Sequence, residues 1–192
     1  MTTDALDLTP TESPAVAALR ARIGRLCRAL RLAAPLYAVW VFVLLAMHWS
    51  NPDDVTRAYS HWLKADLIEV PALQRALGFL IHMIPWALIV ATCVNLWLLF
   101  SGFLAGRVFT VDAALNLRRL SLFGLAAEVA DMATRPLLSM VTTLHMPPGG
   151  RHIGFFLQPN DLLNLMFLGG LLALAHVFKV AAEIADEHAA IV

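Results

Sequence analysis

From Leu77 to Ala105 the chain runs without one formal charge, and this stretch constrains the fold more than any other feature of the sequence. It is longer than the roughly 20 apolar residues needed to cross a hydrocarbon core, so it tilts in a bilayer or projects from it. Leu32 to Trp49 repeats the pattern over a single crossing, and Leu162 to Phe178 repeats it again. A hydrophobic fraction of 59%, a charged fraction of 15% and a mean hydropathy of +0.71 exclude an ordinary soluble domain. The expected class is an all-α membrane protein.

A fourth apolar segment, Leu120 to Leu144, carries Glu128, Asp131 and Arg135. Their spacing puts all three on one helical stripe, and Asp131 precedes Arg135 by four residues, the better orientation for an acid and base pair. Entry into hydrocarbon near Leu120 would put Glu128 roughly 12 Å deep, Asp131 roughly 16 Å and Arg135 roughly 22 Å. Asp131 is then expected near the middle of a core about 30 Å thick. An unpaired charge there costs about 2.5 to 3.5 kcal/mol, so the three should face protein or trapped water. Asp131 and Arg135 can neutralise each other, which leaves Glu128 needing a proton or a partner; His176 and Asn95, at comparable depth, are the expected contacts. Pro136 removes a backbone donor beside the charges and predicts a kink. Two roles fit this stripe: a structural polar clamp, or a transport pathway with Glu128 as the titrating group.

Taken in order, residues 1–15 are short, polar and rich in Thr, Asp and Pro, which predicts a disordered tail and no secretory signal. Residues 16–192 then form one membrane domain. From Val16 to Arg31 apolar residues recur at helical spacing among five arginines, giving a basic amphipathic helix against the first span. Four spans are expected at about 32–49, 77–105, 120–144 and 162–180. Between the first two, Pro52, Asp53 and Asp54 open a short amphipathic helix, and Pro71 opens the second span. Thr110 caps a helix from Val111, with Asp112 in its first turn, that runs into the charged span. The loop from His145 to Asp161 holds MPPGG and QPND turns around IGFFL, which either dips into the membrane interface or forms a short strand. Asp161 caps the last span, whose Gly169 and Gly170 permit close approach of another helix and hence a homo-oligomer.

With the N-terminus inside, the cytoplasmic segments hold Arg20, Arg22, Arg25, Arg28, Arg31, Arg107, Arg118, Arg119 and Lys179, against Arg57, Lys64, Arg75 and Arg151 outside. The excess of inner positive charge selects four spans with both termini cytoplasmic.

Two segments carry a resemblance. GRVFTVDAALNLRRLSLFGLA at 106–126 resembles a G-x-x-F-T stretch followed by a basic turn into a third span. HVFKVAAEIADEHAAIV at 176–192 is similar to a closing pattern of phenylalanine, a basic residue and an acidic helix ending in Val, although AAIV stands here where further polar residues are usual. Both patterns occur in a bacterial family of small four-span membrane proteins known only as a numbered domain of unknown function. The resemblance implies no activity. It implies an inner-membrane protein whose neighbours are often helix-turn-helix regulators, and hence a cytoplasmic DNA-binding protein as partner. Arg107, Arg118, Arg119, Glu183, Asp186 and Glu187 are the expected interaction surface, unless the acidic tail pairs with Arg118 and Arg119 of its own chain.

No phosphate-cradling loop, nucleophile elbow or helical metal-ligand pair occurs, so neither an enzyme nor a cofactor is expected. His145 and His152, in one loop, are at most a weak zinc pair. Cys27 and Cys93 lack metal or redox spacing. The basic residues abut a span without interleaved aromatics, which argues against direct nucleic-acid binding.

Overall fold

The computed structural model describes residues 14–108 and 110–191, with side chains for residues 24–108 and 110–184. The expected disordered tail lies outside the described residues except for Pro14 and Ala15, which already belong to a helix. Five helices follow: α1 (Pro14–Ser50), α2 (Pro52–Leu63), α3 (Ala72–Leu104), α4 (Val111–Thr143) and α5 (Pro159–Ile191). The described residues include no strand. Gly24–Ser50, Ala72–Leu104 and Pro159–Ile184 are long and apolar enough to cross a membrane, which is compatible with an integral membrane protein. At 33 residues α4 matches α3 in length and differs by its charges.

Local chemistry explains the helix ends. Asn51 caps α2 by accepting from the amides of Asp53 and Asp54 at 3.0 and 3.4 Å, with Pro52 in the first turn. The Thr110 hydroxyl accepts from Ala113 N at 3.3 Å and starts α4 as its sequence predicts. Past α3, Gly106 takes a φ of +82°; Arg107 N bonds Gly102 O and Gly106 N bonds Phe103 O, both at 3.0 Å, a glycine-dependent helix stop.

Helices α1 and α5 overrun the expected spans. The basic segment is continuous with the first span in α1, and α5 begins at Pro159 and runs on to Ile191, whereas α4 keeps within its expected bounds and passes through Pro136 as continuous helix. Nor do the long helices close into a bundle. Packed pairs are α1 with α3, α3 with α4, and α4 with α5; among the described residues no Cα of α1 comes within 8 Å of one on α4 or α5. The result is an open row of antiparallel helices.

Small residues hold that row together. Ala34 and Ala38 of α1 pack on Cys93 of α3. The α4 face buries Ala113, Ala114, Ser121, Gly124, Ala127, Thr134, Ser139 and Thr142 at helical spacing, which lets neighbouring helices approach closely. Its hydroxyls return to their own backbone, as Ser121 Oγ does to Leu117 O at 2.9 Å. A Cβ on Gly124 would lie 2.7 Å from a Leu168 methyl, and one on Gly78 would fall inside the Trp49 ring. By contrast a Cβ at Gly169 or Gly170 would meet nothing within 4 Å among the described residues, so the close approach that this pair permits is not used there.

Helix α2 lies across the end of the row. Its Val55 and Tyr59 are buried with Trp49, Val70 and Leu138. Trp49 is only 4% exposed at the centre of this cluster. The segment after α4 forms no strand and runs irregularly over protein: Gly154 N donates to Ser139 Oγ at 2.9 Å, and Phe156 meets Trp62 edge-on.

A candidate groove beside a charge clamp

Arg135 is the centre of the polar cluster. On its own helix, its Nε and Nη2 donate to Asp131 Oδ2 at 3.1 and 2.8 Å, the expected pairing. Across to α5, Nη1 and Nη2 donate to the two oxygens of Asp161 at 2.6 and 2.8 Å. Nη1 also reaches the Phe156 carbonyl at 2.9 Å. One guanidinium thus ties α4 to α5 and to the segment between them in fork geometry. Asp161 does cap its helix, from the inside, by accepting from Gln158 N at 2.7 Å.

Sequence reasoning did not find Asp161 as the third member of the clamp. Its position at the start of α5, opposite the last third of α4, was the available signal.

The expected contacts of Glu128 are corrected. Glu128 Oε2 accepts from Asn164 Nδ2 of α5 at 3.2 Å. Asn95 is buried and donates to Ala91 O of its own helix at 2.8 Å, while His176 is exposed, its Nδ1 lying 3.4 Å from Leu172 O. The antiparallel register is responsible: Gly124 faces Leu168 and Arg135 faces Asp161, so Glu128 meets the residue between them rather than one three turns further on.

Between α1 and α4, over α3, lies a groove of about 470 Å³. Tyr37, His82, Trp86, Thr92, Glu128 and Asp131 are among its lining residues. A second space of about 320 Å³ continues it, shares Leu45, His82 and Asp131, and is covered by Tyr59 and Trp62 of α2. The Asp131 side chain is 41% exposed, against 10% for Arg135 and 4% for Asp161. The clamp is therefore sealed on its α5 side and open on its groove side. His82 is held by Trp49, whose Nε1 donates to Nδ1 at 3.2 Å. Burial, aided by the Asp131 charge, pushes the Tyr59 phenol well above its ordinary range.

At the other end of the row Arg107, Arg118, Arg119 and Glu183 are exposed, Arg107 on the connection between α3 and α4, Arg118 and Arg119 on α4 and Glu183 on α5. Glu183 pairs with Lys179 at 3.4 Å, one turn back, in place of the expected Arg118 or Arg119. The Asp186 and Glu187 side chains lie outside the described residues. In the segment between α4 and α5, His145 is engaged with Gln74: the carboxamide nitrogen faces His145 Nδ1 at 2.8 Å and Val141 O at 3.2 Å, and its oxygen accepts from His145 N at 3.1 Å. Among the described residues no three His, Cys, Asp or Glu side chains gather in a way that could hold a metal ion. No family model matches the chain, nor does any curated protein or solved structure.

Proposed function

We propose that this chain is a four-span bacterial inner-membrane protein with both termini in the cytoplasm, related to the family that residues 106–126 and 176–192 resemble. It acts through protein contacts, as the membrane partner of a cytoplasmic DNA-binding regulator, and not as an enzyme. The observation that carries this reading is the division of its charges. Arg135 is consumed by Asp131, Asp161 and the Phe156 carbonyl, whereas Arg107, Arg118, Arg119 and Glu183 stay exposed at the far end.

The helix register supports the fourth crossing. The Arg31 guanidinium stacks 4.7 Å from the Trp97 ring centre, and Trp49 meets His82 at the opposite end of the same pair of helices. A rise of about 1.5 Å per residue separates Arg31 from Trp49 by roughly 27 Å, close to the thickness of a hydrocarbon core. Helix α4 packs along α3 through that interval, with Arg118 and Arg119 before it and a neutralised Arg135 near its end.

The test is crosslinking of the tagged protein in its native membranes, with mass spectrometry of what is captured. A stoichiometric DNA-binding protein, lost on deletion of residues 185–192 or on reversal of Arg118 and Arg119 to Glu, is the expected result. Recovery of this chain alone contradicts the reading.

Proton- or ion-coupled transport is the second reading, favoured by one observation: Glu128 and Asp131 line the same groove. Glu128→Gln keeps an acceptor for Asn164 and removes the titrating group. Proton-coupled flux in liposomes that is present in the native protein and lost in this variant would favour transport; flux unchanged by it removes the relay.

A further inference from the structure

We propose that the groove over α3 binds a lipophilic organic cation that enters sideways from the bilayer. The space comes first. Since the backbones of α1 and α4 flank α3 without close approach to each other, the groove stays open along one side, while α2 covers its end with Tyr59 and Trp62. Its volume of about 470 Å³ lies within the roughly 300 to 1,000 Å³ typical of small-molecule sites.

Charge selects the ligand. Asp131 and Asp161 together outnumber Arg135 by one, so the clamp keeps one negative charge in excess. Asp161 is sealed inside, and Asp131 is the member that shows in the groove. Glu128, a turn away on the same wall, adds a second carboxyl group. An anion is repelled by this surface, and a neutral hydrocarbon chain would leave the clamp's excess negative charge facing apolar groups. A compact, strongly hydrated cation would want more oxygen ligands than the walls offer, since most of the lining is apolar or aromatic. A diffuse charge on an apolar body fits both parts: carboxylate at one wall, and the rings of Tyr37, Trp86, Tyr59 and Trp62 for its faces.

Sideways entry rests on the four-span placement; the binding chemistry does not.

The experiment is equilibrium binding of tetraphenylphosphonium to the purified full-length protein in detergent and in nanodiscs, followed by dialysis and by quenching of tryptophan fluorescence. Saturable one-to-one binding is expected, without competition from neutral triphenylphosphine oxide. Asp131→Asn retains the Arg135–Asp161 pair and should weaken binding at least about 10-fold, the scale of one close charge pair in a partly screened site. Thr92→Phe fills the groove on α3, away from the clamp, and should also abolish binding; unchanged elution and melting profiles show that each variant is folded. No saturable binding to the native protein, or binding that survives both substitutions, overturns the proposal. Labelling of engineered cysteines on the two connections of α4 reports separately on the span, so an empty groove and a misplaced α4 give different results.

Discussion

Replacing Arg135 with Gln tests whether the charge clamp holds the helices in place. The substitution removes five hydrogen bonds, of which three cross from α4 to α5 or to the segment before it. Asp161 is 4% exposed at its side chain, and would be left with the Gln158 amide. Removing one partner of a buried ion pair typically costs about 3 to 5 kcal/mol, because the other charge stays buried. Asp131 adds less to that figure, since its side chain is 41% exposed toward the groove instead of enclosed by protein. At about 1.4 kcal/mol per decade the loss corresponds to a drop of two to three and a half decades in the folded ratio. Unfolding by graded denaturing detergent measures it. Cys27 and Cys93, both free and buried, make thiol labelling a second reporter of the same transition. The double variant Arg135→Met with Asp161→Leu should be more stable than Arg135→Gln, as apolar replacement of both charges removes the stranded carboxylate. A cost under about 1 kcal/mol for Arg135→Gln, the range of a surface pair, would refute the reasoning.

Two further perturbations follow from the packing. Gly78→Leu drives a side chain into the Trp49 ring, so α1 and α3 must part or Trp49 must leave His82; a melting point lowered by overpacking of about 1 to 3 kcal/mol or more is expected, and an unchanged one contradicts the close approach. Burial holds the Tyr59 phenol neutral above its ordinary range, whereas in the unfolded chain it ionises near pH 10. Its contribution to stability is thus complete below about pH 10 and falls away as the pH rises further. Tyr59→Phe should flatten the alkaline limb of the stability profile, and coincident limbs in the two proteins would count against a buried phenol.

How much of this was legible in the residues differs from element to element. The starts of α2 and α4 were, because Pro52 with its two aspartates and Thr110 with Asp112 are local signals that need no tertiary partner. Asp131 with Arg135 was also legible, since four residues along a helix fix the pair before any packing. The partners of Glu128 were not. Depth counted from assumed span ends pointed to His176, but the register in which the two antiparallel helices pack displaced the match by 12 residues, about three turns, to Asn164. Better-placed arithmetic would have matched Arg135 with Asp161, since both lie where α4 is ending and α5 beginning. The open row was hidden for a different reason. In a bilayer every long apolar helix reads as buried, so hydropathy says which segments cross and nothing about which of them touch. The small-residue face of α4, running from Ala113 to Thr142, was the sequence signal for a helix packed on both sides.

The central claim is that α4 crosses the membrane despite its charges, and one measurement addresses it directly. With Cys27 and Cys93 replaced by Ala, single cysteines at Arg107 and at Arg151 sit in exposed positions on the two connections that α4 joins. A membrane-impermeant maleimide applied to intact cells should label the cysteine at 151 and leave the one at 107 unlabelled until the membrane is opened. Labelling of both positions, or of neither, in intact cells would put the two ends of α4 on the same side and contradict the account.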